Sequence, residues 1–108
     1  MKYDYIVVGA GSAGAIIATR LSEDLSKSVL LIEAGSDYPD MDNMPEEVKY
    51  GYKSTVNVWD SPHNWQYKAR ATNEADIDVP RGKVTGGSSS INGQIFLRGI
   101  PEDYDNWK

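Results

Sequence analysis

The chain has 108 residues, which fit one domain at most, and its 40% hydrophobic and 25% charged residues are ordinary for a globular protein. Its formal net charge of −5, with acids crowded between Glu33 and Glu47, disfavours nucleic acid or an anionic membrane surface as a partner. The absence of cysteine excludes a disulfide, a thiol nucleophile and a thiolate metal site. Because no apolar run has membrane-spanning length and a strand follows Met1-Lys2 directly, we expect a cytoplasmic protein.

A strand, a glycine-rich turn, a helix and a second strand are predicted within residues 3–33. Residues 3–8 are aromatic and β-branched, which predicts a strand buried over most of its length. Apolar residues recur at helical spacing from Ala13 onward. The inner face of that helix is predicted to carry Ile17, Ala18, Leu21 and Leu25. Residues 29–32 form a second apolar strand that Glu33 closes, which is the order of a Rossmann-like, doubly wound α/β fold.

The turn between the first strand and the helix fits the pattern G-x-G-x-x-G with Gly9, Gly11 and Gly14. Gly9 permits the tight turn, Gly11 lets a pyrophosphate approach the backbone, and Gly14 lets the helix pack against the strand. The free amides at the start of the helix, around Ser12 and Ala13, and the positive end of its dipole would meet the phosphates.

Glu33 lies 19 residues after Gly14, at the carboxyl end of the second strand. A carboxylate at this position accepts hydrogen bonds from ribose hydroxyls and repels a 2′-phosphate, which argues against NADP. The pattern therefore predicts an adenine-dinucleotide site and leaves both FAD and NAD open. A glycine turn without a ligand is the alternative interpretation.

The middle of the chain gives weaker signals. Residues 34–39 have the composition of a turn, and Pro45 is predicted to open a short helix because acids follow it in the first turn. Residues 65–70 and 77–79 are predicted to be short strands.

Three conspicuous side chains and a charge run in this region are given structural roles. His63 is the only histidine, and no paired acid or base lies near it in sequence, so it is predicted to be a surface or satisfied loop residue rather than a catalytic one. Trp59 and Trp65 are predicted to be core or loop anchors rather than substrate contacts. The acids of residues 37–47 are predicted to form a solvated face.

A second glycine-containing stretch covers residues 80–99. The pair Gly86-Gly87 allows a backbone path that is closed to other residues, and three serines follow at the position of a helix N-cap. The apolar side of the helix would be formed by Ile91, Ile95 and Leu97. This stretch could form a second anion cradle flanked by Arg81 and Lys83; a capped helix after a flexible turn, ended by Gly99, is the alternative.

Only two strands are predicted to belong to one sheet, although a doubly wound sheet needs several strands covered by helices. A last helix, opened by Pro101, is cut at Lys108. We therefore expect residues 1–108 to be the N-terminal portion of a larger dinucleotide-binding protein, which needs the remainder of its polypeptide or a second chain. A complete but minimal domain is the alternative.

Taken together, the two glycine-rich stretches resemble the N-terminal segment of the glucose–methanol–choline (GMC) oxidoreductase family of FAD enzymes. Residues 4–14 resemble its phosphate loop and residues 31–35 its ribose-binding strand end. Residues 82–92 (GKVTGGSSSIN) resemble its first family motif, and residues 64–67 its intervening aromatic segment. The phosphate loop is shared with many dinucleotide enzymes, whereas the 82–92 motif is highly specific and the likeness covers the whole chain.

The resemblance implies a flavoprotein that oxidises a small-molecule alcohol by hydride transfer from the substrate carbon to FAD. It implies that the ADP half of FAD is held by Gly9, Gly11, Ser12, Ala13, Gly14, Glu33 and Ala34. It also implies that Arg81, Gly87, Ser88 and Asn92 lie along the pyrophosphate, the ribityl chain and the isoalloxazine edge. Asn92 stands where the family has Asn or His, and some members bind flavin covalently nearby through a His, so we expect dissociable FAD. Thr85 departs from the aliphatic residue that is usual there.

No catalytic or metal-binding residue is assigned within the chain. In the family, the catalytic His and its partner lie near the C-terminus of a much longer chain, so this segment alone is expected to be inactive. A non-catalytic nucleotide-binding fragment and an NAD-dependent dehydrogenase domain are the alternatives, and the serine-rich second motif disfavours the latter. Some members of the family are lyases that keep FAD without net redox chemistry.

Overall fold

The computed structural model describes residues 1–53 and 57–107; Lys108, where the last predicted helix is cut, lies outside them. The elements in chain order are β1 (Tyr5–Val8), α1 (Ser12–Leu21), β2 (Val29–Ile32), α2 (Glu46–Lys49), β3 (Tyr67–Arg70), β4 (Asp76–Val79) and α3 (Pro101–Asp105). Two short 3-10 turns lie at Met41–Asn43 and Gly87–Ser90. Within these described residues, no helix combines the length and the apolar character needed to cross a membrane.

The predicted βαβ unit is present. Strands β1 and β2 pair in parallel, from Tyr5 opposite Val29 to Val8 opposite Ile32, and α1 contacts both strands. The two strands are also joined at their amino ends, because the Asp4 carboxylate accepts hydrogen bonds from the amide and hydroxyl of Ser28 at 2.9 and 2.8 Å. These bonds hold the pKa of Asp4 below its ordinary value.

The predicted burial of this unit is wrong. Ile6 and Val8 are exposed, Val8 by 81%, because the described chain supplies only β2 and one helix to cover β1. Leu25, expected on the inner face of α1, lies beyond the helix and is 96% exposed. The helix ends early because Asp24 accepts hydrogen bonds from the amide and hydroxyl of Ser26, which forms a competing turn.

Strands β3 and β4 form an antiparallel hairpin, with Tyr67 opposite Val79 and Arg70 opposite Asp76. The structure confirms both short strands, although β3 begins two residues later than predicted. Two cross-strand ion pairs of 3.3 Å, Lys68–Asp78 and Arg70–Asp76, lie on the exposed hairpin. Such exposed pairs contribute at most about 1 kcal/mol each.

A small core lies outside the βαβ unit. Val48 of α2, the predicted short helix, packs with Val84 and Ile91. Half-buried Tyr38, Met44 and Val58 surround this cluster. Val84 is 1% exposed and comes from a segment that is neither helix nor strand, so the centre of the packing does not coincide with the regular elements.

The helix predicted after Gly86-Gly87 is wrong. Residues 87–90 form only a 3-10 turn, and Ile95 and Leu97 are exposed rather than packed. Gln94 adopts φ +53°, a left-handed conformation that an α-helix does not accommodate, and its amide donates to Asn92 Oδ1 at 2.7 Å. Helix α3, opened by Pro101, is confirmed.

Candidate functional site

An open cleft of about 430 Å³ lies where β1 and β2 end and α1 begins. Among the predicted site residues, it is lined by Gly9, Gly11, Glu33, Ala34, Gly87 and Ser88. The carboxyl ends of parallel strands are where ligands bind in sheets of this kind, so the cleft is the candidate functional site.

The first wall of the cleft is the turn from β1 into α1. Gly9 has φ +94°, which favours glycine, and its amide donates to the Ile32 carbonyl at 2.7 Å. Gly14 lies so close to this turn that a Cβ atom would collide with the Gly9 carbonyl oxygen. The helix therefore begins directly against the end of the strand.

The start of α1 lies beside the cleft, which its N-cap residue Gly11 lines. Gly11 is the N-cap residue and makes no side-chain capping bond, so the amides of the first turn, from Ser12 to Gly14, lack a helical partner or a side-chain cap. The positive end of the helix dipole lies at the same point. This arrangement suits an anion such as a phosphate.

The second wall is the loop at Gly86 and Gly87, which adopts φ +95° and +63°. The Gly86 amide donates to the Ala10 carbonyl at 2.8 Å, and a Cβ atom on Gly87 would lie 2.9 Å from Gly11 Cα. The hydroxyls of Ser12 and Ser89 also lie 2.6 Å apart. The two glycine loops are therefore in direct contact, backbone to backbone.

Glu33 directly follows the carboxyl end of β2 and lines the cleft. Its Oε2 accepts a hydrogen bond from the Ala10 amide at 2.7 Å, and its Oε1 accepts one from the Gly35 amide at 3.0 Å. The sequence gives no local signal for these two bonds. Each carboxylate oxygen has two lone-pair sites, so both can still accept hydrogen bonds from ribose hydroxyls.

Five predicted residues are not among those that line the cleft. Ser12, Ala13 and Gly14 belong to the first loop and the start of α1, whereas Arg81 and Asn92 lie outside both glycine loops. The Arg81 side chain is exposed and donates to the Pro80 carbonyl at 2.7 Å, while its amide donates to Asn64 Oδ1 at 3.0 Å. Asn92 is exposed beyond the second glycine loop. The structure thus brings together the predicted residues of the first loop, Glu33, Ala34 and the second loop, but not the side chains of Arg81 and Asn92.

Trp65 and Gly82 line the cleft although neither was singled out as a site residue. The Trp65 ring stacks on Tyr67 with centroids 5.8 Å apart, and Lys83 Nζ lies 5.0 Å from its centroid. The signal that could have identified Trp65 is its place in the aromatic segment that resembles the family. Trp59 is half-exposed rather than a core anchor, and its carbonyl accepts from the Asn64 side-chain amide at 3.0 Å.

His63 is buried, and both of its ring nitrogens have hydrogen-bond partners. Of the two predicted roles, a surface histidine or a satisfied loop histidine, the second is confirmed. The Nδ1 atom of His63 lies 3.0 Å from Glu47 Oε1 and 3.1 Å from Ser61 Oγ, and its Nε2 lies 2.6 Å from the Tyr38 hydroxyl. The acid that the local sequence lacked is Glu47, 16 residues away. The prediction of a solvated acidic face is therefore wrong at Glu47.

The charge of Glu47 is stabilised in this cluster. Partial burial raises the pKa of Glu47, but hydrogen bonds from its own backbone amide, His63 and Ser61 outweigh burial and lower this pKa below its ordinary value. The cluster does not have the geometry of a hydrolytic triad. Ser61 and Glu47 both approach Nδ1, whereas a triad places the nucleophile and the acid on opposite ring nitrogens.

Residues 1–53 and 57–107 contain no group of three or more His, Asp or Glu side chains that could hold a metal ion. The candidate site therefore consists of backbone amides, one carboxylate and an aromatic ring. This donor set fits a phosphorylated organic ligand better than a cation.

Comparison with known proteins identifies the family. A model of the GMC oxidoreductase family matches residues 3–108, so the chain belongs to the GMC oxidoreductases. The resemblance carried by the two glycine stretches is confirmed.

The similar proteins are much longer than this chain. It is 48% identical over 112 residues to the oxygen-dependent choline dehydrogenase of Vibrio vulnificus (strain YJ016), which covers 98% of this chain and 19% of that protein. It is 40% identical over 121 residues to the mitochondrial choline dehydrogenase of Homo sapiens, covering 99% of this chain and 19% of that protein. The chain thus spans about a fifth of the length of the curated relatives it matches.

A solved structure gives the same result for the fold. The crystal structure of pyridoxine 4-oxidase from Mesorbium loti matches with a TM-score of 0.69 and 33% identity, covering 98% of this chain and 20% of that chain. The predicted fold class, the N-terminal part of a Rossmann-like α/β fold, is confirmed.

Proposed function

We propose that residues 1–108 form the N-terminal portion of the FAD-binding domain of an oxidoreductase that oxidises a small-molecule alcohol. The observation that carries this proposal is the direct contact between the Gly9–Gly14 turn and the Gly86-Gly87 loop, with Glu33 beside them. Membership of the GMC family supports FAD as the cofactor, and the dehydrogenase and oxidase names of similar proteins support an oxidation.

The residues present fit the ADP half of FAD. The pyrophosphate would lie on the amides of Ser12, Ala13 and Gly14, where neither Gly11 nor Gly87 carries a side chain that blocks the approach. The Glu33 carboxylate would accept hydrogen bonds from the ribose hydroxyls, and its charge would exclude a 2′-phosphate. The remaining predicted contacts are Gly9, Ala34, Arg81, Ser88 and Asn92.

Bound FAD would supply the acceptor for the hydride that leaves the alcohol carbon. A proton must also leave the alcohol oxygen, and His63, the only histidine, is not free to take it because both of its ring nitrogens are engaged in a buried cluster. We therefore propose that the catalytic base comes from the remainder of the polypeptide or a second chain. The 108-residue chain alone would bind flavin weakly and be inactive.

Quenching of FAD fluorescence during titration with the chain tests the cofactor assignment. Wild type should bind saturably, and Gly11→Val should abolish binding because its side chain would fill the approach of the pyrophosphate. Gly11→Ala and Gly93→Ala form a matched pair, since in each case the new Cβ atom would have its nearest neighbour at 3.8 Å. Only Gly11→Ala should weaken binding, because Gly93 lies outside the cleft lining.

Three results would contradict the proposal in different ways. A folded wild type that does not quench FAD fluorescence would refute a self-sufficient flavin site in residues 1–108 and would mean that the site needs the remainder of the protein. Binding of NAD in preference to FAD would favour the nicotinamide-dependent alternative. Oxidation of an alcohol by this chain above a no-protein control would refute an external base.

The cytoplasmic location expected from the sequence remains part of the proposal. The human relative is named as mitochondrial. Fractionation of cells that express the full-length protein would test this point.

A further inference from the structure

We propose that His63 is a positioning residue that fixes the walls of the cleft between the two glycine loops. It acts through a cluster of four side chains, Tyr38, Glu47, Ser61 and His63, which we call the His63 clamp. The clamp lies outside the cleft lining given above, and its effect on the cleft follows from the backbone segments that it joins.

Three irregular segments lie side by side next to the cleft. The Lys83 amide donates to the His63 carbonyl at 2.7 Å, and the Trp65 amide donates to the Arg81 carbonyl at 2.9 Å. On the other side of residues 81–85, the Thr85 amide donates to the Ser36 carbonyl at 3.0 Å. Residues 81–85 are therefore held between residues 63–65 and residues 34–36.

The clamp connects the two outer segments across the central one. Tyr38 follows the segment of Ser36, and His63 begins the segment of Trp65; their side chains meet at 2.6 Å with the rings edge to face at 68°. The outer segments themselves carry cleft-lining residues, Ala34 on one side and Trp65 on the other. A change in this contact would therefore alter the separation of the cleft walls.

The other ring nitrogen of His63, Nδ1, is hydrogen-bonded to Glu47 of α2. Glu47 and Ser61 both bond to Nδ1, and the Ser61 hydroxyl accepts from the His63 amide at 3.0 Å. The neighbouring residue of α2, Val48, packs against Val84 of the central segment. Because His63 is only 5% exposed, its Nδ1 depends on Glu47 and Ser61 rather than on water for its hydrogen bonds.

Amide hydrogen exchange tests the clamp without any ligand. In His63→Phe, which keeps an aromatic ring but loses the hydrogen bonds, exchange at the Lys83 and Thr85 amides should become at least about tenfold faster, the equivalent of one lost hydrogen bond. Exchange at the Tyr5 amide, which donates to the Ser28 carbonyl in the βαβ unit, should not change. His63→Gln, which restores a donor and an acceptor, should recover part of the protection.

A milder pair of variants guards against loss of folding. Tyr38→Phe removes only the hydroxyl that meets Nε2, and Tyr52→Phe removes the same group from a tyrosine that is 62% exposed. Only Tyr38→Phe should accelerate exchange at Thr85. This inference also deepens the proposed function, on which the following prediction rests: Tyr38→Phe should raise the Kd for FAD roughly threefold to tenfold, and Tyr52→Phe should leave it unchanged.

The outcomes separate the clamp from the flavin site. Unchanged exchange at Lys83 and Thr85 in folded Tyr38→Phe and His63→Phe would overturn the clamp, and so would an equal acceleration at Tyr5, which indicates general destabilisation. If wild type binds no FAD, a self-sufficient flavin site in residues 1–108 is refuted, while selective exchange at Lys83 and Thr85 still supports the clamp. Selective exchange with an unchanged Kd for FAD would overturn the positioning role.

Discussion

The β1–α1–β2 unit and the irregular segments around Val84 differ in the interactions that stabilise them. Within residues 1–33 the secondary structure is regular, yet only two alanines, Ala10 and Ala18, are buried. The buried valine and isoleucine side chains are Val84 and Ile91 of the irregular segments and Val48 of the one-turn helix α2. The irregular segments also contain three buried polar residues, which are Ser61, His63 and Asn64. Regular hydrogen bonding and burial are thus separated in this chain, and the cleft lies where the two regions meet.

The largest effect is expected within the β1–α1–β2 unit, at the turn from β1 into α1. Gly14→Ala should improve the intrinsic helix propensity by about 1 kcal/mol, but the new Cβ atom would collide with the Gly9 carbonyl oxygen. A backbone atom cannot turn aside as a side chain can, so we expect a net destabilisation of roughly 3 kcal/mol. Urea unfolding measures it, with Thr19→Ala on the exposed side of α1 as the control. A Gly14→Ala protein as stable as wild type would show that β1 and α1 are not in contact as described.

The next effect compares one substitution in both regions. Val84→Ala removes buried methyl groups from the small core and should cost about 2 kcal/mol in the free energy of unfolding. Val8→Ala makes the same change in a regular strand, but Val8 is 81% exposed, so its effect should stay within about 0.5 kcal/mol. Urea unfolding of the two variants tests this difference. Equal losses would mean that the exposed strand face is covered in solution.

The smallest effect concerns pH. The folded-state pKa of Glu47 is lowered, so its contribution to stability is complete above the unfolded value of about 4.3 and is lost as the pH falls through the folded value. Glu47→Gln should therefore be less stable than wild type at pH 7, by less than Val84→Ala. The difference should shrink below about pH 4.3. Asp4 and Asp24 also have lowered pKa values, so both proteins should lose stability in acid. A constant difference across this range would assign the effect of the substitution to packing alone.

The sequence predicts well what is determined locally. The two strands, the start of α1 and the start of α3 follow from apolar spacing, the glycine turn and Pro101, and all are present. The helix after Gly86-Gly87 fails because spacing does not reveal what the apolar side chains would pack against. In the structure Ile91 packs with Val84, whereas Ile95 and Leu97 are exposed.

The candidate site shows the same limit. The residues of the two glycine loops and Glu33 were found by motif, but the direct contact between the two loops was not predicted. The bonds of Glu33 to Ala10 and Gly35, and the pairing of His63 with Glu47, join residues 2 to 23 positions apart. Such pairings depend on how irregular segments meet, for which a single sequence carries no periodic signal.

The hydroxyl pair of Ser12 and Ser89 joins residues 77 positions apart, and this separation has a consequence for folding. Closing a loop of that length costs chain entropy before the glycine loops gain any contact, and long-range contacts of this kind slow folding. During synthesis the first glycine turn would leave the ribosome well before its counterpart. The cleft between the two glycine loops is therefore expected to form late in folding, because a nascent chain shorter than about 90 residues lacks the complete second loop.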